Sequence, residues 1–325
     1  MLPLRDTIPS KSYPIVNYLI IALNVFIFFI QMAQGPALQK FIFIYGLVPI
    51  RYSSPQVGEY FTTGQQIFSF FSYMFLHGGF WHLLGNMWSL YIFGDNVEDR
   101  LGPIRYLVFY ILCGLGSGFS HLVINWDSRI PTIGASGAIA GVMGAYFLLY
   151  PHSRILTFIP IFFIPYFIEV PAFFFLGVWF LMQFLNAAGS PAHGGGIAWW
   201  AHIGGFLFGI LLVKLFLKSP GLGLSEKLQE KAAKKKTPRL QVIRTVGSPG
   251  DPNLYGTLEV TPFEAKFGTK KLVNIPWGGQ KRLFSVTVPP GVQDGTLLRL
   301  KGIGRVTETG EVGDLYLKIK ISEAG

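Results

Sequence analysis

Hydrophobic residues run in long blocks through the first two thirds of the chain and then give way to strict alternation. Six apolar blocks predict helices, at about Ile15 to Ala33, Phe80 to Phe93, Ile104 to Asn125, Ser136 to Tyr150, Phe167 to Ala187, and Ile197 to Leu217. Blocks of this length with few charges read as membrane-crossing helices. From about Leu258 the period falls to two, through Leu272 to Ile275, Leu283 to Val288, Leu297 to Leu300 and Leu315 to Ile321. Glycine-rich turns separate these runs, which predicts a small antiparallel β-sandwich. The stretch between is rich in Lys, Gly and Pro and reads as a linker, with a short helix near Ser225 to Lys236. The expected organisation is a polytopic α-helical membrane part over residues 1–219, a basic linker over 220–252, and an all-β domain over 253–325.

Composition agrees with the block pattern. Half of the 325 residues are hydrophobic and only 14% are charged, against about a quarter in a soluble globule. Cys113 is alone inside an apolar block, so no disulfide framework exists and a small buried hydrophobe is the expected role. The first 213 residues hold 8 basic and 7 acidic side chains, so nearly all of the +10 net charge lies beyond them. The excess begins at Lys214 and Lys218 and peaks at Lys234, Lys235 and Lys236. A basic run just past an apolar helix marks the cytoplasmic face and anionic lipid, and argues against nucleic acid as a partner. With Arg5, Lys11, Arg100, Arg105 and Arg154 on that same side, both termini are cytoplasmic. Lys40, Arg51 and Arg129 then lie outside. The first block lacks a small-residue cleavage site after its core and reads as a retained helix.

The candidate chemistry sits on the fourth and sixth blocks. Gly134-Ala135-Ser136-Gly137 opens the fourth, and Ala201-His202-Ile203-Gly204-Gly205 lies in the sixth. A serine and a histidine facing a membrane interior on two glycine-marked helices can form a nucleophile–base pair. From Ser136 to Tyr150 is 15 residues, a helix of about 22 Å in a hydrocarbon core of about 30 Å. Ser136 is therefore expected below the membrane surface, at the floor of a wet cavity, where a helix end supplies free N–H groups and partial positive charge. Gly137, Gly141 and Ala145 recur on one side of the fourth helix, as do Ala201, Gly205 and Gly209 on the sixth. Such spacing lets membrane helices approach closely. It serves packing in many membrane proteins, so by itself it does not separate an enzyme from a transporter.

A third cluster is His77-Gly78-Gly79-Phe80-Trp81-His82-Leu83-Leu84-Gly85-Asn86. His82 and Asn86 are four apart and share a helix face. Polar side chains in a membrane are costly and are functional candidates. An interhelical hydrogen-bond clasp is the plainer role for this pair. No acidic or thiolate residue accompanies the histidines, so no metal site and no cofactor are expected.

These three motifs, His-x4-His-x3-Asn at His77, His82 and Asn86, Gly-x-Ser-Gly at Gly134 to Gly137, and Ala-His-x-x-Gly at Ala201 to Gly205, resemble the rhomboid family of intramembrane serine proteases over about residues 10–217. The resemblance implies a six-helix bundle in which Ser136 is the nucleophile and His202 the base of a dyad. It implies that the Ser136 N–H, His82 and Asn86 hold the oxyanion, while Gly134, Gly137, Gly141 and Gly205 pack the helices at the site. Transmembrane proteins would be the substrates and the lipid bilayer the medium. Many relatives carry an aromatic residue four positions after the serine, stacked on the histidine, where this chain has Ala140. The tryptophan-arginine motif of the first loop is replaced by Tyr45-Gly46-Leu47-Val48-Pro49, which looks like a bacterial form and implies a bacterial inner membrane. The fifth helix would be the lateral gate, with Phe173, Phe174, Phe175 and Trp179 as lipid-facing or gating bulk. The loop from Gly189 to Gly196 resembles the cap over the site, His193 being a solvated loop residue. Glu169 is expected to open the fifth helix and to reach the surface, and His121 and His152 to be interfacial.

The alternating region resembles the carboxy-terminal substrate-binding domain of DnaJ-type co-chaperones over about residues 256–322. Pro290-Gly291-Val292-Gln293-Asp294-Gly295-Thr296, Leu298 to Gly302 and Gly313-Asp314-Leu315-Tyr316 carry that likeness. The likeness implies peptide or chaperone clients, with a plain assembly module as the alternative. No His-Pro-Asp signature is present, so recruitment of an Hsp70-class ATPase through a J domain is not implied. For the whole chain, the reading opposed to a protease is an inactive rhomboid-like factor that binds membrane clients without cutting them.

Overall fold

The computed structural model describes residues 2–8, 10–161, 164–189, 198–219, 223–232, 240–243, 245–246, 251–277, 280–307 and 310–322. The chain divides into two compact units, Met1–Ala232 and Ala233–Gly325. His193 and the run Lys234 to Lys236 lie outside the described residues.

The first unit is helical. Helix α1 is Ile15–Met32, followed by α2 (Leu38–Tyr45), the single turns α3 (Ile50–Ser53) and α4 (Pro55–Gly58), and α5 (Thr63–Ser72). The long elements are α6 (Phe80–Leu101), α7 (Pro103–Ile124), α8 (Ser136–Leu149), α9 (Ala172–Gly189) and α10 (Trp199–Lys218), with α11 (Gly223–Ala232) after them. Among the described residues α1, α7, α9 and α10 are long and apolar enough to cross a membrane, and α8 is a shorter apolar helix. Helix α6 is 22 residues long but ends in a polar turn, Asp95 to Arg100. Gly102, at φ +80°, ends α6, and Pro103 opens α7 without breaking a needed hydrogen bond.

Burial is inverted relative to a soluble protein. Every residue of α8 from Gly137 to Tyr146 is buried, because α6, α7, α9 and α10 all pack on it. The outer helix α1 instead leaves Leu19, Phe26 and Phe29 more than 60% exposed. Lipid, not water, is the solvent that suits such a surface.

The polar end of α6 has a structural task. Helix α1 has no side-chain cap of its own. The Glu98 carboxylate accepts from the backbone N–H groups of Val16 (3.1 Å) and Asn17 (2.8 Å), meeting the free donors of α1's first turn. Asp99 accepts from the N–H groups of Lys11 and Ser12 at 2.8 and 2.9 Å. This is why the second apolar block, expected to end near Phe93, continues as helix to Leu101.

The fifth block differs more. Its opening residues, Phe167 to Pro171, are not helix but part of strand β3 (Ile164–Pro171), which pairs antiparallel with β2 (Arg154–Ile161), itself bordered by β1 (Leu2–Asp6). Pro160, Pro165 and Pro171 deny N–H donors to a helix, and the Ile- and Val-rich run suits an extended chain. Glu169 therefore faces Leu156 across a hairpin and does not open a helix, which starts at Ala172.

The second unit is a β-rich domain. Strands β4 (Leu240–Val242), β6 (Thr269–Trp277) and β7 (Gln280–Val288) form one sheet, in the order β4-β6-β7. Strands β5 (Leu254–Val260), β9 (Leu315–Ile321) and β8 (Leu297–Leu300) form the other, in the order β5-β9-β8. Leu258, Val260 and Leu317 from one sheet and Val273, Val286 and Val288 from the other share a single core. The expected antiparallel pairing holds for β6 with β7 and β8 with β9. By contrast, β4 with β6 and β5 with β9 run parallel. A parallel pair needs a long crossover, supplied between β5 and β9 by the intervening strands and helix α12 (Pro262–Phe267). Thr261 and Glu264 close a capping box at the start of that helix, and Glu264 also pairs with the buried Lys271 at 2.6 Å.

Candidate active site

The lead-in to α8 is irregular, yet its backbone is paired. Thr132 exchanges two hydrogen bonds with Leu47 (2.8 and 3.0 Å), and the Gly134 N–H donates to the Tyr73 carbonyl (2.9 Å). Gly134 adopts φ +129°, a region L side chains rarely enter, and a Cβ there would also meet the His82 ring at 2.9 Å. The turn therefore requires glycine, and it sets Ser136 as the first residue of α8. Its N-cap residue, Ala135, has no side chain able to cap it, and no described side chain does so, so the N–H groups of its first turn remain available at the serine.

The second partner arrives on α10. A Cβ added at Gly205 would collide with the Gly137 carbonyl, and one at Gly209 with the Gly141 carbonyl. The glycines thus let the two backbones touch, and Gly141 makes room in turn for Cys113 of α7. Ser117 of α7 donates to the Ala201 carbonyl (2.7 Å), fixing α10 just before His202.

The result is a direct hydrogen bond. His202 Nε2 lies 2.7 Å from Ser136 Oγ, with His202 only 8% exposed and Ser136 half-buried. On the other side of the ring, His202 Nδ1 lies 2.8 Å from Gln183 Oε1, on α9. The Trp179 ring sits 6.0 Å from the imidazole at 30°, and Trp199 meets it edge-on at 6.2 Å. These tryptophans surround the ring that an aromatic at position 140 would otherwise hold, and Ala140 is fully buried with its methyl carbon 3.4 Å from where a Cβ of Gly205 would lie.

His82 lies against the Gly134 turn, and its Nδ1 accepts from the Gly78 N–H at 3.2 Å. Asn86, one turn further along α6, is buried, and its Nδ2 has no hydrogen-bond partner among the described residues. A buried amide donor left unpaired costs stability, and it is ready to bind an acceptor that arrives with a substrate. His77 packs edge-on to His82, with ring centroids 5.2 Å apart. Among the described residues no group of three or more His, Cys, Asp or Glu is placed to hold a metal ion.

Gln183 and Trp179 are site residues that the sequence pattern does not single out, the tryptophan being expected there as lipid-facing or gating bulk. The available signal was an amide inside an apolar helix, one turn beyond a tryptophan on the same face. Phe173 and Phe174 are exposed as that reading expected, whereas Phe175 is part of the core.

Comparison with known proteins places these features in a family. A model of the Rhomboid domain matches residues 64–219, and one of the DnaJ C terminal domain matches residues 252–324. The chain is 30% identical over 201 residues to Rhomboid protein 1, mitochondrial, of Saccharomyces cerevisiae, covering 60% of this chain and 51% of that protein. It is 28% identical over 235 residues to RHOMBOID-like protein 6, mitochondrial, of Arabidopsis thaliana, covering 64% and 70% of the two chains. Inactive RHOMBOID-like protein 8 of Arabidopsis thaliana is 35% identical over 85 residues, covering 26% and 23%. The chain spans about half, or less, of the length of the first curated relatives it matches. With its membrane helices, its glycine-packed α8 and α10 and these relatives, the chain is an integral membrane protein that carries a Rhomboid domain over residues 64–219 and a DnaJ C terminal domain over residues 252–324.

Proposed function

We propose that the chain is an intramembrane serine protease that hydrolyses peptide bonds in or beside transmembrane segments of other proteins. The observation that carries this reading is the 2.7 Å hydrogen bond between Ser136 Oγ and His202 Nε2, a nucleophile and a base within reach of one another. His202 takes the hydroxyl proton as Ser136 Oγ attacks the scissile carbonyl. The carbonyl π electrons move onto oxygen. Donors that favour this oxyanion are the first-turn N–H groups of α8, the unpartnered Nδ2 of Asn86 and the His82 ring. As the tetrahedral centre collapses, His202 gives the proton to the leaving amine. Water, deprotonated by the same imidazole, then attacks the acyl-serine and frees the hydroxyl. Gly137, Gly141 and Gly205 serve this chemistry by bringing two backbones close enough for a hydroxyl and an imidazole to meet, and Gly134 by allowing the turn that aims Ser136.

The division of labour follows the chain: residues 1–219 cut, 220–252 link, and 253–325 bind peptide or chaperone clients. Positive charge in the short loops and beyond Lys214 supports cytoplasmic termini, and the likeness of the Tyr45 to Pro49 loop to bacterial forms is what points to a bacterial inner membrane. A second reading has one observation in its favour, the match to a relative named as inactive. In that case the chain binds membrane clients without cutting them. The test is cleavage of a single-span model protein in proteoliposomes: wild type cuts, and Ser136→Ala and His202→Ala do not. Intact substrate with wild type, or full cleavage by His202→Ala, rejects the protease reading.

A further inference from the structure

We propose that Gln183 is a positioning residue for His202: its amide oxygen accepts the Nδ1–H and so holds the imidazole in the tautomer whose Nε2 is free to take the Ser136 proton. The inference rests on the protease reading above and adds a third member to its dyad.

Orientation of the amide follows from its two contacts. Gln183 Nε2 donates to the Trp179 carbonyl of its own helix at 3.1 Å, which leaves Oε1 facing the ring at 2.8 Å. An uncharged imidazole has one N–H and one lone pair. A carbonyl oxygen against Nδ1 can only accept, so the proton belongs on Nδ1 and the lone pair on Nε2. That lone pair points at Ser136 Oγ, 2.7 Å away. Gln183 is 6% exposed, so water does not compete for the bond. Trp179 and Trp199 restrict tilting of the ring but offer no acceptor to Nδ1; among the described residues the amide selects the tautomer.

Once His202 has taken the serine proton, both ring nitrogens donate. Nδ1–H stays on the amide oxygen while Nε2–H turns to the leaving amine. An amide supplies an oriented dipole to the cation without placing a permanent negative charge in an apolar interior, where an ionised carboxylate is costly. Gln183 lies on α9, whereas Ser136 lies on α8, so the seat of α9 on the bundle sets the aim of the base.

The experiment uses the full chain in proteoliposomes with a single-span model substrate, reading kcat, KM and the pH profile of cleavage, with fluorophosphonate labelling of the serine in parallel. Gln183→Met keeps the bulk and removes the acceptor; kcat falls about 10²-fold, the scale of a misaligned reacting group, while KM stays within about twofold. Gln183→Glu keeps an acceptor at Nδ1 and adds charge. It retains kcat within about tenfold and moves the acid limb of the profile upward by about one pH unit or more, because a carboxylate favours the imidazolium. His82 and His121 are unchanged in both variants and cannot produce that difference. If wild type cleaves and is labelled while both variants match it in kcat and acid limb, the Gln183 assignment is overturned and the dyad stands. If wild type neither cleaves nor labels, the protease reading fails and this inference falls with it. Should Gln183→Met fail to fold, the acid limb of Gln183→Glu decides alone: unmoved, it rejects the role.

Discussion

At the contact of α8 with α10 the polar side chains are hydroxyl, amide and imidazole, answered by a backbone carbonyl or by one another; the exceptions nearby are the Asn86 Nδ2 and, at the far end of α8, Tyr146, whose hydroxyl donates to Asp6. Ser117 donates to the Ala201 carbonyl, and Ser136, His202 and Gln183 form one chain. The carboxy-terminal unit instead buries a charged pair, Lys271 with Glu264, and uses Glu264 a second time to cap α12. The difference follows from solvent. In lipid, helices associate through close backbone packing and uncharged hydrogen bonds, and glycine is the means of approach. In a water-facing β domain, apolar side chains supply the core, and a charge is tolerated inside when its partner is fixed beside it.

Four measurements break or sharpen that contrast. The largest effect belongs to the membrane unit: His202→Ala lowers kcat by about 10⁴-fold or more and leaves the unfolding midpoint of the carboxy-terminal unit where it was. Steady-state cleavage and urea unfolding read the two outcomes. Next is Lys271→Ala, which takes the lysine away from the buried Glu264 carboxylate, leaves it the Thr261 N–H, and costs the second unit about 3 kcal/mol. Fluorophosphonate labelling at Ser136 is unaffected, since the pair has no part in the site. Third, Asn86→Ala removes a donor that has no partner at rest among the described residues. It lowers kcat by about 10²–10³-fold, the range for one oxyanion donor. The resting unfolding midpoint changes little or rises, which distinguishes a donor for the transition state from an interhelical clasp.

The smallest effect is one of pH in the second unit. Backbone donation from Gly302 and the guanidinium of Arg299 hold the Asp314 carboxyl below its ordinary value. A carboxyl lowered in the folded state contributes stability that is present above its unfolded value, about 3.9, and is lost as pH falls through the folded value. Urea midpoints of the wild type therefore decline below about pH 4. Asp314→Asn is less stable near neutrality and loses less on acidification.

Much of this contrast is legible in the sequence. Gly134-Ala135-Ser136-Gly137 and Ala201-His202 mark themselves because serine, histidine and regularly spaced glycine serve no purpose in a lipid-facing helix. Gln183 is harder to see. Nothing local says which way an amide in an apolar helix points, since the rotation of α9 is fixed by the elements packed against it, α10 and α8 foremost, with β2 and β3 at its start. The hairpin at Arg154 to Pro171 is missed for another reason. A run such as Ile159-Pro160-Ile161-Phe162-Phe163-Ile164 is apolar without period, and length alone does not choose between strand and helix. Pro160, Pro165 and Pro171 decide it, read together. In the second unit the strands are visible from alternation, but the parallel partnering of β5 with β9 is set across the whole of residues 261–314, beyond the reach of local pattern.

The account stands most directly on the identity of the nucleophile and its base. Purified full chain in lipid, treated with a fluorophosphonate and digested for mass spectrometry, gives the site of the adduct. The expected result is a single adduct on Ser136, absent from Ser136→Ala and formed far more slowly in His202→Ala. No adduct, an adduct on another serine, or unchanged labelling in His202→Ala contradicts it.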